Sequence, residues 1–503
     1  MIEWFERKII SIDENTDNEI KKETLEDFKI KLRSLTSIEL HNVAQNLDFT
    51  RLFSQLTSND SIYNEEVCNN LSTLFSVLEA GEVFKRFPME MSQFIIHEDP
   101  LVKKLVLKEL LKTASSENSV TQLINDKNIL NLVIEEIGKD DLVVAKIAMD
   151  VIKQVGKSPA GVKALYSSPL LTSLARLISK RGVISFRIYD VVVDIAKHSK
   201  ENLDASATSG FLSSLINILQ DDDVLLQLNA LEVMAELAST DYGLNYLEER
   251  DVLKTLSDKI ADANENPLSI LLIPGLMRFF GKISKSHIDI LSKYPPVIYA
   301  LFDVINETED TLLLTNALDT LGHIASTNDG KYALQNLGQF MNNAIHRISQ
   351  VIKTMPSELK VCGLDCLAMI LYVDKTKRDN QIMSLTKSWF DLINNDPLDM
   401  IIGYCRQPFH DIKISSYRVL SSISNQTWGH ELIASYPGLI ELLLARTTDC
   451  DKNIKEIRYE IIKNLSEAED VFDSGNIQKF TTYVHQGPYF VDLETEVATE
   501  VPT

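Results

Sequence analysis

Two cysteines four residues apart, Cys362 and Cys366, are the first place to look for chemistry. That spacing puts both thiols on one helical face. Zinc asks for four ligands, usually from paired Cys or His motifs, and no second pair accompanies these two. Their neighbours Leu364, Leu367 and Ala368 mark them instead as small side chains for a core. Gly156-Lys157-Ser158 has the ending of a phosphate loop, but it lacks the upstream glycine and follows a helix, not a strand. The nine histidines are scattered, and His323, in the apolar run from Leu318 to Ala325, is expected to be packed and hydrogen bonded. No nucleophile can be named together with a convergent base. The sequence therefore leads to no catalytic, cofactor-binding or metal-binding residues, and to a protein that is not an enzyme. Asp221-Asp222-Asp223 could attract a basic partner, but directly before a helix its chemistry favours capping. Trp389 and Trp428 could be binding hot spots or packing between repeats.

The elements that would position these residues come from a repeat. A shift of 41 residues aligns Leu110, Val151, Val192 and Val233, then Leu111, Ile152, Val193 and Met234. Ala114, Val155, Ala196 and Leu237 follow four residues later, and Leu107, Ala148, Tyr189 and Ala230 precede. Offsets of three and four place these side chains on one broad helical face. A second helix keeps the register: Leu130, Leu171, Leu212 and Leu253; Val133, Leu174, Leu215 and Leu256; Ile137, Ile178, Leu219 and Ile260. Between the two lies a shorter signal. Gly161, Gly243, Gly330 and Gly429 are each followed four residues later by Leu165, Leu247, Leu334 or Ile433; Ser119 with Leu123 and Ser286 with Ile290 are similar. This predicts a short linking helix with a small residue near its start.

Two long helices and a short one in about 41 residues match the armadillo and HEAT range. One unit cannot bury both faces alone, so units must stack, giving an all-α repeat superhelix with a concave surface. Further units are predicted to start near Glu265, Thr308, Met355, Phe409 and Asp451, with a polar loop inserted from Asp374 to Gln381. Residues 1–56 read as a helical cap, 57–491 as an array of about ten units beginning with a degenerate one from Glu65 to Leu78, and 492–503 as a loose acidic tail. Pro274, inside an apolar stretch, is expected to kink or split its helix.

Composition narrows the partners. The net charge of -22 argues against nucleic acid and anionic membranes, which need clustered Lys and Arg. It allows a basic protein partner. The five dispersed cysteines, an N-terminus without a signal-peptide pattern and the lack of a long apolar run point to a reduced compartment, cytoplasmic or nuclear, with no spanning helix.

Several stretches carry a resemblance. Pro274-Gly275-Leu276-Met277-Arg278-Phe279-Phe280-Gly281 and Gly487-Pro488-Tyr489-Phe490-Val491 are the most telling. Ser388-Trp389-Phe390, Asp396-Pro397-Leu398, Gln407-Pro408-Phe409 and Thr208-Ser209-Gly210-Phe211-Leu212 agree with them in order and spacing. Over nearly its whole length the chain resembles the 26S proteasome non-ATPase regulatory subunit 5 family. The resemblance implies a chaperone for assembly of the proteasome regulatory-particle base. Its partners would be regulatory ATPase subunits 1 and 2 (regulatory subunits 7 and 4), gripped through an ATPase C-terminal domain, with the large non-ATPase base subunit as a further candidate. Docking on the core particle would thereby be delayed. Arg278, Phe279, Trp389, Phe409 and Tyr489 are the trial contact residues, on the concave face of the middle and C-terminal repeats. The rival is an armadillo nuclear-import receptor or a general scaffold. Import receptors resemble one another in repeated Trp-x-x-x-Asn pairs; here Trp389 is followed by Ile393 and Trp428 by Leu432.

Overall fold

Aspartates cap many of the long helices, though Val183–Ala196, Ser357–Leu371 and His410–Ser424 begin without a side-chain cap. The carboxylates of Asp60, Asp99, Asp141, Asp223, Asp310 and Asp451 each accept a hydrogen bond from a first-turn amide. Such caps satisfy amides that have no partner inside the helix. Hydrogen bonds from the amides of Val144 and Val143, together with Lys104 nearby, hold the Asp141 carboxyl below its ordinary range. Asp223 spends its carboxylate on Leu225 and Leu226, and Asp221 bonds the amide of Asp223, so this acidic triplet caps as its sequence suggested.

A computed structural model of the chain describes residues 1–14, 17–56, 60–261, 267–446 and 451–490. Among the described residues there are helices and turns and no strand, and the fold is an all-α solenoid. Packing divides the chain into two units, Met1–Leu247 and Glu248–Thr503. In the first, helices Ser61–Ser76, Pro100–Ala114, Leu142–Val155, Val183–Ala196 and Val224–Leu237 stack side by side as a ladder. In the second, Pro267–Ser284, Thr311–Ala325, Ser357–Leu371, His410–Ser424 and Lys452–Ser466 do the same. Four helices, from Ile2–Glu14 to Thr50–Gln55, occupy the stretch expected as a cap.

Most of the apolar columns are the core of these ladders, with Leu111 and Val233 half-exposed. Leu107, Ala148, Tyr189 and Ala230 are buried, as are Ala114, Val155, Ala196 and Leu237. In the second-helix columns, Leu171 and Ile178 come out half-exposed. In helix Leu170–Ile178 the buried positions are Leu170, Leu174 and Leu177, a local departure from the register seen in the neighbouring units. The predicted starts near Thr308, Met355, Phe409 and Asp451 match helices beginning at Thr311, Ser357, His410 and Lys452. The start near Glu265, the tail 492–503, Val491 and Cys450 lie outside the described residues.

The small-residue signal has a steric cause. Helices Pro159–Leu165, Asp241–Glu248, Asn328–Gln335 and Thr427–Ser435 carry Gly161, Gly243, Gly330 and Gly429 at their third positions. A methyl group on any of them would overlap the carbonyl six residues earlier, of Val155, Leu237, Ile324 or Ile423. Ser119 is tolerated at its own junction because its hydroxyl donates to such a carbonyl, Thr113 O, at 2.8 Å. Ser286 fits less well, since the linking helix after it, Ile290–Lys293, is a single turn that starts four residues later.

Pro274 does not split its helix, which runs unbroken as Pro267–Ser284. The buried side chains Leu272, Leu276 and Met277 hold the helix through the proline. Ile270, four residues earlier, lies at the surface, where water can serve the carbonyl that loses its amide partner.

Candidate protein-binding surfaces

The ladder of the second unit presents a charged row to solvent. Arg278, Asp319, Asp365 and Arg418 come from four successive long helices, and Arg278 and Asp319 are 41 residues apart. Arg418 spans to Asp365 at 3.0 Å, and His323 lies 3.5 Å from Asp319 one turn along. Beneath the row the helices approach closely. A methyl group on Gly281 would press on Thr320 at 2.8 Å, and one on Gly322 would meet Met369 at 2.6 Å and the Cys366 backbone at 3.5 Å. Cys366 is thus a small buried core residue and Cys362 is half-buried beside it. His323 departs from expectation: it sits half-exposed on this row rather than packed, because its helical position turns outward with Asp319.

The trial contact residues divide. Arg278 is exposed on the row. Phe409, 59% exposed, occupies the N-cap position of helix His410–Ser424. Tyr489, 51% exposed, donates its hydroxyl to Glu456. Phe279 and Trp389 are core residues, 1% and 3% exposed, and offer a partner no surface. Phe279 packs edge-on to Phe280 at 5.3 Å, and the neighbour of Trp389, Phe390, lies against Trp428 at 5.2 Å. Trp428 is buried too, its indole N–H donating to Gln426, so both tryptophans serve packing and neither lines an open groove. Much of what carried the resemblance is therefore scaffold. The segment after helix Ser474–Gln486 is anchored by Arg446, which donates to the Gly487 carbonyl at 2.9 Å and stacks on Tyr483 at 3.7 Å.

A second exposed feature was not anticipated. Several long helices carry a bulky apolar side chain in the first turn, open to solvent: Leu142, Val183 and Leu225 in the first unit, Leu312 in the second. The sequence signal was an apolar residue close behind a helix-starting turn, at a position the core columns do not use.

Reactive groups are subdued by burial. It pushes the Cys68 thiol up to about 12, and the Cys366 thiol higher still, with the charge of Asp319 adding to the effect. A thiolate is the nucleophilic form, so these thiols are inert as placed. Among the described residues no group of three His, Cys, Asp or Glu side chains could hold a metal ion, and no helix is long and apolar enough to cross a membrane.

Ladders of helices with charged and apolar outer strips define a helical-repeat scaffold. Its family is shown by sequence. The profile of the family described as "Proteasome non-ATPase 26S subunit" matches residues 1–502, and the chain belongs to that family. The human protein named 26S proteasome non-ATPase regulatory subunit 5 is 30% identical over 482 residues, covering 93% of this chain and 95% of its own length. The protein of the same name from Drosophila melanogaster is 28% identical over 411 residues, covering 81% and 79%. Among solved structures, an engineered protein aligns over 82% of this chain and 98% of its own at 15% identity and a TM-score of 0.38, too loose to carry an argument.

Proposed function

We propose that this chain is a non-catalytic assembly chaperone of the 26S proteasome regulatory-particle base. In this reading it acts in the cytoplasm. It holds the pair of regulatory ATPases 1 and 2 by an ATPase C-terminal domain and keeps them off the core particle until assembly is complete. The observation that carries the reading is the family match along residues 1–502, with full-length relatives named as a proteasome regulatory subunit. The scaffold supports it in kind. A ladder of packed helices with an exposed charged row can orient and shield a partner without doing chemistry on it. Any ATP hydrolysis then belongs to the partner.

The test is purification of the tagged protein from its own cells under mild conditions, with identification of what comes with it. Regulatory-particle ATPases with few core-particle subunits are the expected result. Import cargo with a transport receptor and no ATPases would overturn the proposal. Within the complex, charge reversal at Asp365 or Arg418 is expected to lower ATPase recovery if the row is the contact.

A further inference from the structure

The net charge of -22 conceals an inversion. From Val151 to Tyr189 the chain carries seven Lys and Arg and no Asp or Glu. Several of these cations are occupied. Lys153 pairs with Asp190 at 2.7 Å, Arg176 pairs with Glu135, and Arg187 donates to the carbonyls of Ile137 and Lys139 at 2.8 and 2.7 Å. That last contact has a consequence for shape. It draws the turn after helix Lys127–Ile137 against the helix that follows the turn 179–182. Across the same gap, a methyl group on Gly138 would stand 2.7 Å from the Leu177 side chain and 3.7 Å from the Lys180 ammonium. Two turns of successive repeats thus lie side by side.

Their outer edge is unpartnered. Lys139, Lys180 and Arg181 are exposed, and none pairs with a described acid. Arg181 is held at a φ of +53°, a conformation in which glycine would be at ease and a long side chain is not. Within three residues of these cations in sequence come Leu142 and Val183, 68% and 70% exposed, with Val143 also open. The acids nearby are mostly committed: Asp141 to its amides and to Lys104 at 3.8 Å, Glu136 to Lys103 at 2.7 Å. Asp140 alone is an exposed acid in the first turn, against three cations.

We propose that this paired-turn edge is a docking site for a partner protein's acidic segment that also carries aliphatic side chains. Carboxylates of the segment meet Lys139, Lys180 and Arg181, and its aliphatic groups cover Leu142, Val143 and Val183. Charge complementarity selects the acid. The apolar strip selects a peptide over a bare polyanion, whose phosphates would leave that strip in water. The site rests on residues 138–187 alone and stands whether or not the chain handles proteasome ATPases.

The experiment is fluorescence polarisation with the full chain and a labelled peptide of about twelve residues built from Asp, Glu and Leu. Two further probes accompany it: the same peptide with every Leu replaced by Ser, and a labelled oligouridylate. The leucine peptide is expected to bind saturably and more weakly as salt rises. Lys180→Glu with Arg181→Glu, and separately Leu142→Ser with Val183→Ser, are each expected to weaken it by roughly tenfold or more. Circular dichroism melts check that these variants fold. Arg181→Gly keeps the test sharp in any case, because it removes the cation while relieving the backbone, so it must bind more weakly yet melt no lower. Absence of saturable binding overturns the proposal. So do equal binding of the leucine and serine peptides, equal or tighter binding of the oligouridylate, and variants that bind like the wild type.

Discussion

The two units solve the same problem with different chemistry. Where a junction glycine follows a long helix, that helix ends in a carbonyl five residues before it, and the carbonyl needs a donor. In the first unit the Gly156 carbonyl takes the side-chain amide of Asn202, borrowed from the next repeat, at 3.0 Å. The residues after Gly161 and Gly243 are then the buried, apolar Val162 and Leu244. In the second unit the residue after the glycine turns inward and does the bonding itself. Lys331 donates to Ala325, and His430 donates from its Nε2 to Ser424 at 2.7 Å. Farther along, the fully buried Arg458 donates to the carbonyls of Leu442 at 2.8 Å and Leu443 at 2.7 Å, and to Ala445. Cations reach helix-end carbonyls in the first unit as well, through Arg86, Lys112 and Arg187, but their heads stay at the solvent margin. Geometry dictates that a donor be present and leaves its identity open, and the second unit has placed titrating donors in its core.

That difference can be broken from the top down. Arg458→Ala should cost roughly 3–5 kcal/mol, since several buried carbonyls lose their donor at once. Urea unfolding would show it, and hydrogen exchange should place the loss in the second unit. Gly161→Ala and Gly330→Ala should each cost about 3 kcal/mol, the upper end for overpacking. Equal losses are expected because the steric demand is common to both units; a loss in one alone would undo the idea of a shared junction.

Lys331→Met sharpens the chemical side. Burial pushes the Lys331 ammonium down to about 7 from an ordinary 10.5. Below pH 7 the folded protein carries the full cost of a buried charge, and that cost fades as pH rises from about 7 toward 10.5. The substitution should therefore stabilise by about 2 kcal/mol at pH 6, after the loss of the Ala325 hydrogen bond, and progressively less toward pH 10. The first unit holds the mirror case. Burial pushes the Glu109 carboxyl up to about 7, with Lys112 opposing and Glu82 adding to the shift. Here the cost grows as pH rises from about 4.5 through 7. Glu109→Gln should stabilise by about 1–2 kcal/mol at pH 8 and change little at pH 4, read from melting curves across pH.

The period of 41 made the solenoid legible, because core columns and junction glycines follow one steric rule. What failed to read through was the orientation of single side chains. Phe279 and Trp389 drew attention as aromatic residues, yet on a helix the facing decides, and both face inward. The shift that pairs Gly281 with Gly322 also pairs Arg278 with Asp319 and Phe279 with Thr320, and so separates the outward residue from the inward one. The charged row was within reach by that route. The basic stretch from Val151 to Tyr189 was equally open to inspection, but a single net charge averages it away. Lys331 in a core could not be foreseen, since an exposed lysine looks the same in sequence.

The overlap that forbids a methyl group at the junction glycines also fixes how this chain can change length. Gly161, Gly243, Gly330 and Gly429 stand 82, 87 and 99 residues apart, so repeat length drifts along the array. The stretch from the crowded carbonyl to its glycine stays at six residues in all four. Insertions have collected in places such as the polar loop after Tyr372, which bridges back through Arg378 to the Asn425 carbonyl at 2.8 Å. The junctions behave as rivets of invariant gauge and the connecting loops as slack, so a lineage can lengthen its repeats freely between rivets without disturbing the stacking across them.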